Sequence, residues 1–225
     1  MATRPIFVPT NDVKELFKEV YIDFKYHNGF AVTQKFKSIN SLHENANEKG
    51  YGNILEVSTK SSETLGQRLS AFNLMLETEK FGTISIESAF QGSKVFNNGG
   101  PYNDIYEKDS LSAKRDERIK NSGSLQCFEF EGQIWELEPK SAFYDWIYIK
   151  ALHPHMAYIK ENLTKYSAFS DIEFNPKKSI NCQARTCAII VSLINLDLLD
   201  DAMQSPMKFN QIVYKREPKQ GIFAL

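Results

Sequence analysis

The sequence predicts an α+β fold: one compact domain, helix-rich, with a small and mostly antiparallel sheet. Three observations point to it. The first third carries short runs of β-branched and aromatic residues bounded by Pro, Asn and Gly. Most later segments carry helix caps and stops instead. No repeat, low-complexity tract or linker divides the 225 residues, so residues 1–225 are expected to share one core.

Taken in order, "RPIFVP" (4–9), "EVYIDFKYH" (19–27) and "GNILEVST" (52–59) read as strands. Between them "KSINSLHENANEKG" (37–50) reads as a helix with Ser41 as cap and Gly50 as stop. "RLSAFNLMLE" (68–77) and "FGTISI" (81–86) read as two more strands. A helix is expected from a Ser85 cap to about Phe96, ended by Gly99 or Gly100. "DSLSAKRDERIKNSG" (109–123) reads as one short charged helix. "LQCFEFEGQIWELE" (125–138) is a hairpin with Glu131-Gly132 at its turn. "EPKSAFYDWIYIKAL" (138–152) reads as an amphipathic helix with Ser141 as a cap, and "PHMAYIKENLTKY" (154–166) as a helix begun by Pro154. "FSDIEFNPKKSINCQ" (169–183) starts as a strand and ends in a polar loop. "ARTCAIIVSLINLDLLDDAM" (184–203) is the most apolar helix and is expected at the centre of the core. The tail, "KFNQIVYKREPKQGIFAL" (208–225), reads as an edge strand.

A formal net charge of -1 gives no global field for nucleic acid, so any such contact needs a local patch. The N-terminal stretch lacks the apolar core of a signal peptide, and no run approaches the ~20 apolar residues of a membrane span. Three cysteines are too few for a disulfide framework. These readings predict a soluble, cytoplasmic protein. Cys182 and Cys187 have no His or third Cys nearby, so no metal is expected. The four histidines, His27, His43, His153 and His155, avoid the motif stretches. No P-loop or dinucleotide-binding glycine motif is present, and no cofactor is expected.

Within "SIESAFQGSKVFNNGGPYNDIY" (85–106), Glu87, Gln91 and Lys94 have i, i+4, i+7 spacing, which places them on one helical face. Spacing alone leaves two readings open, a solvated surface row and a site.

The surrounding words resemble the NADAR family. "ISIESAFQGSKVF" resembles its signature, in which a carboxylate starts a helix and a Gln and a Lys follow. "LSAFNL" (69–74) resembles its upstream Ser-Asn-Phe segment, with Ala71 and Asn73 in a rearranged order. The likeness is to the variety found as antitoxin beside a DarT-type DNA ADP-ribosyltransferase. "RPIFVP", "LEVSTKS", "LSAFNL", "SAFQGSKVFNNGGPY", "AKRDERIKNSG", "EPKSAFYDWIYIKAL" and "DIEFNPKKSINCQAR" follow that variety in order, from about residue 4 to about residue 200. Each is weak alone; seven in sequence are specific. The wider family's terminal Asp-x-x-Trp-Gly pattern is absent, and "DIEFNPKKSINCQAR" takes its place, which leaves Asp171 or Glu173 as stand-ins for that family's carboxylate.

The resemblance implies an NADAR-like fold and an N-glycosidase that removes ADP-ribose from guanine in DNA. The implied partners are ADP-ribosylated DNA and a DarT-type toxin, with no membrane and no metal. Cleaving the bond from the anomeric carbon to the guanine amine needs stabilisation of an electron-poor carbon and a proton for the leaving nitrogen. Glu87, near a helix start, suits acid/base work. Lys94 suits attack on a ring-opened ribose, or charge binding of a hydroxyl or phosphate. Gln91 suits orienting or contacting substrate. Gly99 and Gly100 can free backbone N–H groups for a diphosphate or simply end a helix, and Tyr102 can stack on a base or be buried. Trp146 can wall the site or pack in the core. Asp145 in an aromatic helix requires a partner.

In the loop before the apolar helix, Asn175, Asn181, Gln183 and Arg185 supply donors. Lys177 and Lys178 can meet DNA phosphates, and Arg185 a diphosphate or a buried carboxylate. Ser58 and Lys60, with Thr59 and Ser61, form a second polar loop. Two rival readings are an N-glycosidase for a small nucleotide-like metabolite, such as a riboflavin-pathway intermediate, and an ADP-ribose-binding module without turnover.

Overall fold

The computed structural model describes residues 1–29 and 31–215. In chain order the elements are β1 (Ala2–Asp12), β2 (Glu15–Phe24), α1 (Val32–Glu48), β3 (Ile54–Glu56), α2 (Thr64–Arg68), β4 (Met75–Thr78), β5 (Gly82–Ser85), α3 (Ile86–Gly92), β6 (Lys94–Phe96), α4 (Ser110–Lys114), α5 (Arg118–Asn121), β7 (Leu125–Phe130), β8 (Gln133–Trp135), α6 (Ala142–Leu152), α7 (Met156–Leu163), β9 (Ala168–Ser170), α8 (Gln183–Asn195), α9 (Leu199–Met203) and α10 (Pro206–Tyr214). They form one compact α+β domain with small, mostly antiparallel sheets, as the sequence predicts.

The main sheet has the order β2-β1-β9-β3; β3 and β9 run parallel and the other pairs antiparallel. The two-residue period of β1 sends neighbours to opposite faces. Ile6 packs with Ile22, Phe24, Ile39 and Leu42 under α1, whereas Phe7 joins the larger core with α6 and α8. Both faces of the sheet are therefore covered. The larger core is centred on α6 and α8, and burial of each of its large apolar side chains contributes about 1.5–3 kcal/mol.

The β7–β8 hairpin turns on Glu131 and Gly132, both at positive φ, and pairs Phe130 with Gln133. The expected 85–96 helix is capped by Ser85, whose Oγ accepts the Ser88 amide. It stops at Gly92, where a side chain would lie 2.4 Å from the Tyr106 ring. β7 then captures the following residues as a strand: the Glu129 amide donates to the Ser93 carbonyl, and Lys94 pairs with Phe128.

Other expectations need correction. Residues 69–74 form turns, and their strand begins only at Met75. α1 starts at Val32, so Ser41 lies inside the helix, where its Oγ accepts the Lys25 amide. The 109–123 segment breaks into α4 and α5 because the Asp116 carboxylate takes both the amide and the guanidinium of Arg118. The 184–203 helix splits at Asp197, which has φ +55°. Pro154 lies in a 3-10 turn ahead of α7. α6 is buried all round except at Lys150 rather than amphipathic, and Ser141 makes no side-chain cap. The tail is a helix through Tyr214, capped by Ser205, in place of an edge strand; residues 216–225 of that expectation lie outside the described residues.

Candidate active site

A cavity of about 470 Å³ opens between α3, the 70–72 turn, α4, α6 and the loop from Asp171 to Gln183. Glu87, Gln91 and Lys94 line it together with Phe90, Lys114, Tyr144, Asp171 and Asn181. Glu87 and Gln91 come from α3 and Lys94 from the first position of β6. The predicted row therefore meets, although only two of its members are helical. The Gln91 amide donates to Glu87 Oε1 at 2.8 Å, and Lys94 Nζ donates to Gln91 Oε1 at 2.7 Å. Gln91 uses both ends of its amide to hold carboxylate and amine at a fixed separation.

The Lys94 ammonium lies 4.8 Å from the centre of the Phe90 ring, and that ring is wedged against Phe128 and Tyr144. Burial brings the Lys94 amine down to about 8; the Glu87 charge opposes this and the Lys114 charge assists it. Lys114, on α4, extends over the Phe72 ring and makes no ion pair among the described residues. Its neighbours Lys108 and Arg118 are both paired with Asp104 and Asp116.

On another wall, Asp171 Oδ1 accepts the amides of Glu173 and Phe174, at 2.9 and 3.1 Å. Burial, then the Glu56 charge, pushes this carboxyl well above the usual carboxylate range. Gln183 braces the site by bridging two segments: its Nε2 donates to the Val57 carbonyl at 2.6 Å, and its Oε1 accepts the Ala71 amide at 2.7 Å. Asn181 lines the cavity, and its Oδ1 is buried without a hydrogen bond among the described residues.

Several predicted site residues lie away from this cavity. A side chain on Gly100 (φ +89°) would sit 2.2 Å from the Lys94 carbonyl, and one on Gly99 2.3 Å from the Tyr102 hydroxyl. These glycines let the loop pack on the strand that carries Lys94. Tyr102 bonds the Ser122 hydroxyl at 2.5 Å, under the Arg118 guanidinium. Trp146 packs in the core against Trp135 and Phe209. Arg185 takes the second of its two predicted roles and pairs with the fully buried Asp145 at 2.9 Å, where Thr186 and Tyr214 also donate. Ser58 is buried and donates to Glu56, and the Lys60 amide donates to Ser58 Oγ. Asn175 shapes the exposed turn that carries Lys177 and Lys178, its Oδ1 accepting the Lys177 amide. That turn leads into Ser179 and Asn181 on the cavity wall.

Sequence reasoning missed Glu56, Lys114 and Tyr144. Glu56 left a trace, a carboxylate between Leu55 and Val57 in a strand. Lys114 left none, being one charge among many in its segment. Among the described residues no cluster of His, Cys, Asp and Glu could hold a metal ion, and no helix is long and apolar enough to cross a membrane.

No curated protein matches the chain. A family model does, described as the DarT1-associated NADAR antitoxin and spanning residues 2–221. That match takes in the cavity, its bracing glutamine and the strand beneath it. The chain belongs to the family of DarT1-associated NADAR antitoxins.

Proposed function

We propose that this protein is an N-glycosidase that removes ADP-ribose from guanine bases of DNA, reversing the action of a DarT-type ADP-ribosyltransferase toxin. The observation that carries the reading is the row Glu87–Gln91–Lys94, hydrogen-bonded end to end along one cavity wall, in a chain of this antitoxin family. The reading puts the protein in the cytoplasm with its DNA.

The chemistry follows from the row. An N-linked ribose can open its ring to an imine. The neutral Lys94 amine adds to that carbon, the carbon–nitrogen bond to guanine breaks with its electron pair going to nitrogen, and a proton completes the departing amine. Water then hydrolyses the lysine imine, releasing ADP-ribose and restoring the amine. Burial of Lys94 serves this step because only the unprotonated amine attacks. Glu87, kept beside it by Gln91, can take the proton that Lys94 sheds on attack. Exposed Lys177 and Lys178, on the loop bounding the cavity, suit the phosphates of the strand carrying the modified base.

The test is incubation with ADP-ribosylated single-stranded DNA. Release of ADP-ribose with return of the unmodified oligonucleotide mass supports the reading. Binding without release would make the protein an ADP-ribose-binding module. Inactivity on DNA with turnover of a small N-ribosyl metabolite would move it to that substrate class.

A further inference from the structure

Glu56 is a carboxyl group closed inside the domain, 3% exposed, with no cation within ion-pair distance among the described residues. A buried charge without a counter-ion is costly unless several donors surround it. Here Ser58 donates to Oε1 at 2.7 Å, the Ile172 amide to the same oxygen at 2.9 Å, and Ser170 to Oε2 at 2.5 Å. Ser170 has one hydroxyl proton and gives it to Glu56. The His43 ring, 2.8 Å from Ser170 Oγ, must therefore be the donor in that contact. Burial holds the ring down at about 4, so it is a neutral donor at neutral pH.

Two of the three donors to Glu56, Ser170 and Ile172, stand on either side of Asp171. β3 and β9 pair in parallel with Glu56 opposite Ser170, and the chain then passes through Asp171 to Ile172. Glu56 thus holds the Ser170 hydroxyl before and the Ile172 amide after Asp171, which with Glu173 lines the cavity from this wall. Asp171 uses Oδ1 for two backbone amides, and its Oδ2 has no hydrogen bond among the described residues.

We propose that Glu56 and Asp171 hold one proton between them, with Glu56 as the buried anion and Asp171 presented to the cavity as a carboxylic acid. Glu56 is then a positioning residue and Asp171 the group that meets substrate. The donor count decides which partner is ionised: three donors, one of them braced by His43, satisfy a Glu56 anion, against two backbone amides on Asp171. The other groups around the pair are Glu173 on the same loop, Tyr144 and Tyr148 on α6, Cys182 and Cys187 at α8, and His43 on α1. Glu173 adds a further negative charge, and burial pushes both tyrosines and both cysteines up. No group in this buried set brings a cation; Glu87, Lys94 and Lys114 line the same cavity as Asp171.

Resting on the glycosidase reading, the acid has a task. As the bond from the ribose carbon to guanine nitrogen breaks, the electron pair goes to nitrogen and Asp171 gives it a proton. The water that later adds hydroxide to the carbon returns a proton to Asp171. Acid and amine then occupy different walls of one cavity.

Infrared difference spectroscopy on the substrate-free protein tests the pair. The wild type should show a carboxylic-acid carbonyl band at pH 7 that is absent from Asp171→Asn. Glu56→Gln removes the neighbouring charge, so the midpoint of that band should fall by about one pH unit or more. No band in the wild type, or a band that survives in Asp171→Asn, overturns the proposal. If Glu56→Gln fails to fold, the comparison of wild type with Asp171→Asn decides alone. The spectra need no substrate, so their failure leaves the glycosidase reading standing, and a failure of turnover leaves the proton pair standing.

Discussion

Lys94→Arg separates an attacking amine from a fixed charge. Lys94 is held at about 8 against an ordinary 10.5. At pH 7 roughly a tenth of the amine is then neutral, where an unperturbed lysine would have roughly one part in 3,000. Arginine keeps the positive charge, stays protonated at every working pH and cannot form the imine. The side chains differ little in reach, so the hydrogen bond to Gln91 can be kept. Single-turnover release of ADP-ribose should therefore fall by on the order of 10³-fold in the variant. In the wild type the rate should rise about 50-fold from pH 6 to pH 8 as the amine loses its proton, then flatten. Borohydride added during turnover should leave an adduct with the mass of ADP-ribose on Lys94 and none on the variant. An active arginine variant together with an empty trap would refute the covalent step and leave Lys94 as a cation.

Glu87→Gln should fold and keep its affinity for ADP-ribose in calorimetry while losing 10²-fold or more of turnover, on the order expected for acid/base groups; undiminished turnover removes Glu87 from the chemistry. Replacing Lys177 and Lys178 with alanine should lower the slope of binding against salt by about 1.4 on single-stranded modified DNA and leave hydrolysis of free ADP-ribosyl-guanosine unchanged; equal loss on both substrates rejects a phosphate contact. Gly100→Ala forces a side chain against the Lys94 carbonyl at positive φ, so thermal unfolding should report a loss of about 2 kcal/mol or more, and an unchanged melting temperature would show that the loop yields. Arg185→Met strands the Asp145 charge and should cost about 3–5 kcal/mol, read by denaturant unfolding, with ADP-ribose affinity preserved in the folded fraction; a selective loss of affinity would return Arg185 to the site.

What the sequence determined by itself is what local chemistry determines. The Ser85 cap, the Glu131-Gly132 turn, the apolar run of α8 and the polar loop before it depend on residues a few positions apart, and each was legible. The Glu87–Gln91 pair was legible for the same reason, since four residues make one helical turn. Lys94 was reached by the right spacing through the wrong element. The tertiary structure decided the rest, because the deciding partners are distant in the chain. Pairing of β6 with β7 ends α3 at Gly92 and turns Lys94 into a strand residue that still meets Gln91. Gln183 joins Ala71 to Val57 across gaps of 112 and 126 residues. The parallel match of β3 with β9 brings Glu56 beside Asp171, and Asp145, not a ligand, claims Arg185. No local pattern encodes which buried carboxyl finds a cation and which finds only hydroxyls and amides; packing settles that, and with it where the proton resides.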